Sequence, residues 1–278
     1  MNTKKIFRGP IGNQDRFLLA MVNKKKKSIR RFLEFCKEMH CNLVNFENTS
    51  AAEESDGAVA CEEVALTGTF RSEKLVNQFQ YASYRDKIME PSKVEEISIE
   101  KETTPTELRA KVFGALLRGK LGIEYNDMEY RCVDKDCDRG VYFRYVQDMN
   151  YRIKELGRTL MALQSERVCT RVVDASGHVL AEQSLPQGCA VGEFVDGEDN
   201  HYLMVQNQDL SSKNKKAFSF KLKKKYRVYR VNPHNGKQVL VKDGVETFSL
   251  LVMPGDADLL RFQDAEEEPF FIEYVFRK

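Results

Sequence analysis

The sequence has no long apolar segment and no excess of charge of either sign. A membrane-spanning helix needs about 20 consecutive apolar residues, and no stretch of this chain approaches that length. The start of the chain is charged and has no apolar run after it, so we expect a cytoplasmic protein without a membrane span. The 44 basic and 42 acidic residues nearly cancel, which gives no overall reason to expect a polyanionic partner.

Several enzyme classes are excluded because their motifs are missing. The chain has no G-x-x-x-x-G-K-[ST] loop, no G-x-G-x-x-G after a strand, no H-E-x-x-H and no G-x-S-x-G. These absences argue against P-loop nucleotide hydrolases, dinucleotide-binding enzymes, zinc metalloproteases and α/β-hydrolases. The four histidines are spread along the chain and form no recognisable triad.

The cysteines do not form a framework. Seven is an odd number and their spacings are irregular, so we expect reduced thiols. Cys132 and Cys137 enclose a four-residue gap that suits zinc, but no second pair or nearby histidine completes four ligands. We therefore predict no metal and no cofactor.

Helices and strands alternate through the first 164 residues. Apolar residues at helical spacing over 29–39 precede an apolar strand at 43–46, and a charged strand is predicted at 94–100. Thr104, Pro105 and Glu107 form a capping box, which begins a helix that ends near Gly119. A strand at 121–125 and a long helix at 141–163 follow. This alternation predicts parallel β–α units in residues 1–164.

From residue 165 onward the apolar residues repeat with a period of two. Short strands are predicted between turn signals such as Asn235-Gly236 and Asp243-Gly244. Many short strands with regular turns predict an antiparallel β-sandwich in residues 165–278. The predicted fold class is therefore α/β plus all-β, with one domain boundary at about residue 164.

Three segments of the first half resemble the C-terminal half of barrel-type glycoside hydrolases. Residues 104–119 (TPTELRAKVFGALLRG) resemble the helix that leads into the last barrel strand, residues 122–125 (GIEY) resemble that strand, and residues 151–157 (YRIKELG) resemble the closing helix. Three later segments resemble strands of the sandwich that follows such barrels: 191–194 (VGEF), 202–210 (YLMVQNQDL) and 251–262 (LVMPGDADLLRF). The resemblance implies a partial (β/α) barrel followed by a C-terminal β-sandwich.

The barrel implied by this resemblance is incomplete. A full eight-stranded barrel takes roughly 250 residues, whereas about 164 precede the sandwich. The resemblance therefore implies that several units are missing, and the gap between Phe46 and Ser72 is where we expect the loss.

The resemblance also implies carbohydrate as the partner and carboxylates as the catalytic groups. Glycosidases use two carboxyl groups across the scissile bond, and barrel enzymes carry them at the C-terminal ends of strands. Glu47, Glu100 and Asp127 each follow a predicted strand and are the candidate catalytic residues. Because the part of the barrel that carries the family's general acid is missing, we expect a weakly active or inactive glycoside hydrolase. The absence of tryptophan slightly weakens this interpretation, although 11 tyrosines and 17 phenylalanines can serve as sugar platforms.

Two other functions remain open. One is a non-catalytic interaction module that uses the sandwich. The other is a nucleic-acid binder that uses the lysines of residues 213–216 and 223–225 as a basic patch, although lysines that protect an edge strand explain these clusters equally well. The unpaired strand edges of an incomplete barrel further predict self-association into a homo-oligomer.

Overall fold

The computed structural model describes residues 18–23, 29–41, 43–46, 63–65, 94–127, 129–136 and 138–267. The predicted helix at 72–89, the predicted strand at 270–276 and Glu47 lie outside the described residues. The first half contains five strands and three helices within these ranges: β1 (Leu18–Asn23), α1 (Ile29–Glu38), β2 (Leu43–Phe46), β3 (Glu63–Ala65), β4 (Val94–Ser98), α2 (Pro105–Leu117), β5 (Gly122–Asn126) and α3 (Phe143–Ala162). The predicted alternation of helices and strands is confirmed for β1–α1–β2 and for β4–α2–β5–α3.

The first sheet is mostly parallel and has the order β3-β2-β1-β5-β4. β1 pairs in parallel with β2 and β5, β5 also pairs in parallel with β4, and β3 runs antiparallel to β2. Its strands do not close into a barrel, because β3 and β4 form the two edges of the described sheet. β5, in the interior of the sheet, is buried along its whole length.

The two faces of β5 differ in chemistry because side chains alternate along a strand. The Tyr125 hydroxyl donates a hydrogen bond of 2.8 Å to Asn150 of α3, so Ile123 and Tyr125 face the helices. Glu124 and Asn126 therefore belong to the opposite face of the sheet.

The predicted capping box begins α2. The Thr104 hydroxyl accepts the backbone N–H of Glu107 at 3.2 Å, and the Glu107 carboxylate accepts the backbone N–H of Thr104 at 2.7 Å. Pro105 occupies the first turn, where its missing N–H costs nothing. The helix ends before Gly119, whose φ of 76° lies in the left-handed region that favours glycine.

The second half contains two strands of only two residues each and six longer strands. Its elements are β6 (Gln164–Cys169), β7 (Val172–Val173), β8 (Gln183–Ser184), β9 (Cys189–Val195), β10 (His201–Asn207), β11 (Lys216–Val231), β12 (Gln238–Val252) and β13 (Ala257–Asp264). Six of them form an antiparallel sheet in the order β12-β11-β13-β10-β9-β6, and β7 pairs with β8. The predicted all-β character is confirmed for residues 165–267.

On each side of the turn at Asn235-Gly236, two predicted strands form one continuous strand in the structure. The predicted turn at Asn235-Gly236 connects β11 to β12, and Gly236 has a φ of 66°. The predicted turn at Asp243-Gly244 is wrong: both residues lie inside β12, where Gly244 has a φ of 60° and the pairing with β11 shifts register. The hairpin of β11 and β12 continues through this glycine, which forms a local irregularity in the strand.

The strands β9 and β10 of the six-stranded sheet are covered on both faces. One face places Phe194, Tyr202 and Met204 in the same hydrophobic core as helices α2 and α3. The other face places Val191, Leu203 and Val205 in a second core, to which the segment carrying β7 and β8 contributes Val173, Val179 and Leu180. The first core therefore continues across the predicted boundary at residue 164.

Polar contacts reinforce this junction. Arg152 of α3 makes two hydrogen bonds, of 2.7 and 2.9 Å, to the carboxylate of Asp256, which precedes β13. Next to it, Gly255 has a φ of 73°, and a Cβ at this position would lie 2.5 Å from the carbonyl oxygen of Thr106. The helices and the second sheet thus meet through close backbone packing and an ion pair.

Candidate functional site

Two of the three predicted catalytic residues lie at the C-terminal end of the parallel sheet. Glu100 follows β4 and Asp127 follows β5, and the parallel register of these strands places both residues at the same edge. The structure places the two carboxylates in different surroundings.

The Asp127 carboxylate organises the loop that follows β5. Its oxygens accept the backbone N–H groups of Arg131 at 2.6 Å, Cys132 at 2.9 Å and Val133 at 3.2 Å. The side chain is only 3% exposed. A carboxylate that accepts several backbone N–H groups holds a loop in one conformation, and these bonds occupy the oxygens that a substrate would need.

Glu100 is exposed and lines an open cleft of about 490 Å³. The Thr103 hydroxyl accepts its backbone N–H at 3.1 Å, which fixes the turn between β4 and α2. One wall of the cleft is this turn and the exposed side of α2, and the other comes from β10 and the residues after it. The lining consists of Glu100, Glu102, Thr103, Glu107, Ala110, Lys111, Gly114, Arg118, Gln206, Gln208 and Leu210.

Hydrogen bonds already hold several of the cleft residues in place. The Gln206 amide donates to the carbonyl oxygen of Ala110 at 2.9 Å, and Gln208 donates to Gln206 at 3.4 Å. Arg118 forms an ion pair of 2.8 Å with Glu95 of β4. Hydrogen bonds from Thr104, first from its backbone N–H, hold the pKa of the Glu107 carboxyl below its ordinary value. Preset side chains lose less conformational freedom when a ligand binds.

A group of polar side chains that the sequence did not predict lies on the face of the parallel sheet opposite Tyr125 and α3. Glu96 of β4 lies directly opposite Glu124 of β5 in the register, and Ser98 lies opposite Asn126. The Asn126 amide donates to Glu96 at 2.9 Å, and Glu124 is only 4% exposed. The alternation of apolar and polar residues in the segment GIEYN was the available signal, because a parallel strand covered by apolar residues on both faces would lack it.

Lys213 and Lys215 precede β11, whereas Lys216 and the second lysine cluster belong to it. Lys223 and Lys225 form backbone hydrogen bonds with Val179 and Ala265, so protection of an edge strand does not explain the second cluster. Lys224 forms an ion pair with Asp264, and Lys223 donates to the carbonyl oxygen of Ala175 at 2.7 Å. Lys216 pairs with Asp209 at 3.0 Å. Part of the positive charge of both clusters is therefore compensated within the chain.

The thiols of the described cysteines are mostly buried. Burial raises the pKa of Cys41 and of Cys189 to about 12, which keeps both thiols protonated. Across the described ranges, no three histidine, cysteine or carboxylate side chains come together as metal ligands. Among the same residues, no helix combines the length and apolar character that a membrane crossing requires.

Comparison with known proteins gives a likeness of structure only. No family model and no curated protein sequence matches the chain. An α-amylase from Anoxybacillus is 14% identical, with a TM-score of 0.37 over 89% of this chain and 52% of its own. An α-amylase from Geobacillus thermoleovorans is 11% identical, with a TM-score of 0.36 over 65% of this chain and 41% of its own.

A third similar structure is a GH27 β-L-arabinopyranosidase from Geobacillus stearothermophilus. It is 11% identical, with a TM-score of 0.36 over 62% of this chain and 33% of its own. The solved structures similar to this chain thus include glycoside hydrolases, the family that the sequence resembles. The chain spans about a third to a half of the length of these proteins.

Proposed function

We propose that this chain is a glycoside-hydrolase-related protein that binds carbohydrate in the cleft beside Glu100 and has weak or no hydrolytic activity. The observation that carries the proposal is the composition of the cleft. Its lining combines carboxylates, which only accept hydrogen bonds, with Lys111 and Arg118, which only donate, and with Gln206 and Gln208, whose amides do both. Sugar hydroxyls donate and accept hydrogen bonds, and such a mixture matches them.

The geometry of the cleft supports binding more than turnover. A glycosidase places its two carboxyl groups on opposite sides of the scissile bond. In this cleft Glu100, Glu102 and Glu107 all come from the turn after β4 and the first turn of α2, so they approach a ligand from one side. The opposite wall, from Gln206 to Leu210, contributes amide and apolar side chains to the described lining.

The remaining candidate carboxylates do not supply the missing partner. Asp127 accepts three backbone N–H groups and is absent from the cleft lining among the described residues. Glu47 lies outside the described residues and stays a prediction. A carbohydrate ligand held by Glu100 and Gln208 would therefore meet one acidic wall, which supports recognition without efficient hydrolysis.

The strand order supports an origin in a shortened barrel. In a (β/α) barrel the last strand pairs with the first, and each strand pairs with the next along the chain. Here the order β4-β5-β1-β2 is parallel throughout, with the later strand β5 beside β1. A barrel that kept its closing pair of strands and lost the strands between β2 and β4 would have this order.

The proposal is tested by measuring thermal stability in the presence of a panel of pentoses, hexoses and their α- and β-linked oligosaccharides. A ligand at ten times its Kd stabilises the folded state by about 1.4 kcal/mol, which raises the Tm by about 3–6 °C. Gln208→Ala removes an amide from the cleft and should abolish the shift, while Glu266→Gln, an exposed change beyond β13, is the matched control. If no sugar raises the Tm, or if Gln208→Ala leaves the shift unchanged, the proposal is wrong.

An activity assay distinguishes a binding protein from an enzyme. Aryl glycosides assayed with the wild type, Glu47→Gln, Glu100→Gln and Asp127→Asn should show little or no turnover. Turnover that Glu100→Gln abolishes would instead identify an active enzyme at this cleft. Salt-sensitive retention on DNA or heparin together with no response to sugars would favour the nucleic-acid binder.

A further inference from the structure

The strand β12 forms one edge of the six-stranded sheet. It is 15 residues long and, among the described strands, pairs with β11 alone. The outer side of such a strand presents unpaired backbone N–H and C=O groups, which another strand can bind.

The two edges of this sheet are protected to different degrees. The opposite edge, β6, is six residues long and carries Glu166 and Arg167 at its centre. Short length and charge are the usual means by which an edge avoids pairing with another chain. In β12 comparable protection is confined to residues 242–246, where charged side chains and the positive φ of Gly244 interrupt a regular strand.

One unprotected part of β12, residues 239–241, is an apolar run. Val239, Leu240 and Val241 are 48%, 46% and 44% exposed. Because consecutive side chains point to opposite faces of a sheet, both faces of this stretch are apolar and in contact with solvent. An exposed apolar edge of this kind is uncommon in proteins that stay monomeric.

We infer that this edge is a dimer interface, on which β12 of a second copy of this chain pairs antiparallel about a two-fold axis at Leu240. Leu240 then lies opposite Leu240 of the second copy, Val239 lies opposite Val241, and Gln238 lies opposite Lys242. The same patch serves both copies, so the assembly closes at two and covers residues 239–241 in each copy.

The charges near the apolar run select this register. In it Asp243 of each copy lies opposite Lys237 of the other, and no like charges face each other across the ladder. If the axis moves by one residue to Val241, Lys242 lies opposite Leu240. If it moves to Val239, Lys237 lies opposite Val241. Both shifts place an ammonium group opposite an aliphatic side chain. The interface then loses a contact between two apolar side chains, and the charge loses part of its hydration.

The length of the regular stretch sets the strength of the contact. Gly244 ends the ladder on one side and the turn at Gly236 ends it on the other. A ladder of this length buries less surface than the roughly 1,200–2,000 Å² of a stable complex. The dimer should therefore be reversible and depend on protein concentration.

Sedimentation velocity from low micromolar to near-millimolar protein tests the inference. The wild type should shift from monomer to dimer as its concentration rises. Leu240→Lys places two ammonium groups on the axis and should weaken the dimer at least tenfold, whereas Leu251→Lys is the matched control. Leu251 belongs to the same strand, is 60% exposed and lies outside the ladder, so this change should leave the dimer intact.

A charge exchange distinguishes the interface from a general loss of folding. Leu240→Glu alone should also be monomeric, and an equimolar mixture with Leu240→Lys should recover dimers, because opposite charges then meet at the axis. A wild type that stays monomeric at the highest concentration overturns the inference. So does a dimer that survives Leu240→Lys, a dimer that Leu251→Lys weakens equally, or a mixture that stays monomeric.

Discussion

The ion pair between Arg152 and Asp256 should hold the helices to the second sheet. The guanidinium makes two hydrogen bonds to the carboxylate, and the two side chains are 19% and 16% exposed. The guanidinium also lies 4.9 Å from the centre of the Phe113 ring in α2. Arg152→Met keeps most of the apolar stem of the side chain and removes the charge.

The expected cost of Arg152→Met follows from the carboxylate that it leaves behind. Asp256 then keeps a hydrogen bond of 2.8 Å from the backbone N–H of Ala257. Breaking a fully buried ion pair costs about 3–5 kcal/mol, and the partial exposure here reduces the expected loss to about 2 kcal/mol. At about 2–4 °C per kcal/mol for a chain of this size, the Tm should fall by about 4–8 °C.

Urea denaturation of a double-mutant cycle measures this contribution. Arg152→Met, Asp256→Asn and the double variant should give a coupling free energy of about 1–2 kcal/mol. Arg230→Met is the control, because the Arg230 side chain is half-exposed and its two hydrogen bonds to Asp258 end on a single carboxylate oxygen. A coupling below about 0.5 kcal/mol would refute the reasoning, as would a larger loss from Arg230→Met.

The number of unfolding transitions shows whether the two halves of the chain unfold together. Because the first hydrophobic core contains side chains from both halves of the chain, we expect one cooperative transition. The predicted division at residue 164 would then mark a change of structural class without independent folding. Two separated transitions in the wild type would show instead that the halves unfold as independent units.

Three further predictions concern single residues. Thr104→Ala removes the cap of α2 and should cost about 1 kcal/mol in urea denaturation, and a value near zero would contradict the role of the capping box. Asp127→Ala leaves three backbone N–H groups without an acceptor and should cost about 2 kcal/mol, whereas a neutral effect would return Asp127 to the list of functional candidates. Burial, together with the neighbouring charge of His178, lowers the pKa of His201 below its ordinary value. The unfolded state then binds more protons than the folded state near that ordinary value, so stability should fall as the pH drops from 7.5 to 5.5. His201→Gln should flatten this dependence, and an unchanged urea profile would exclude His201 as its cause.

Features that depend on neighbouring residues were predictable from the sequence. The capping box at Thr104, the end of α2 at Gly119 and the turn at Gly236 each rest on the preferences of a few adjacent residues. The long helix α3 was visible as apolar residues at helical spacing, because its buried face repeats over five turns. These signals are local, and the structure agrees with them.

Features that depend on distant pairing were not predictable. Asp243-Gly244 has the composition of a turn, but the pairing of Tyr226 with Val245 keeps it inside β12. The lysines at 223–225 look like edge protection until Val179 and Ala265 are placed beside them. The pairing of Glu96 with Glu124 requires β5 to lie beside β4, and no local pattern states which strands are neighbours.

The position of β5 beside β1 has a consequence for the order in which the chain can fold during synthesis. Leu18 pairs with Gly122, so β1 must wait for about a hundred further residues before its partner emerges from the ribosome. Until then β1 and β2 have one side of their sheet open, and the helices lack the strand that carries Ile123 and Tyr125. Contacts of such long sequence separation form slowly. A nascent chain halted before residue 122 should therefore be the form most prone to misfolding and to capture by chaperones.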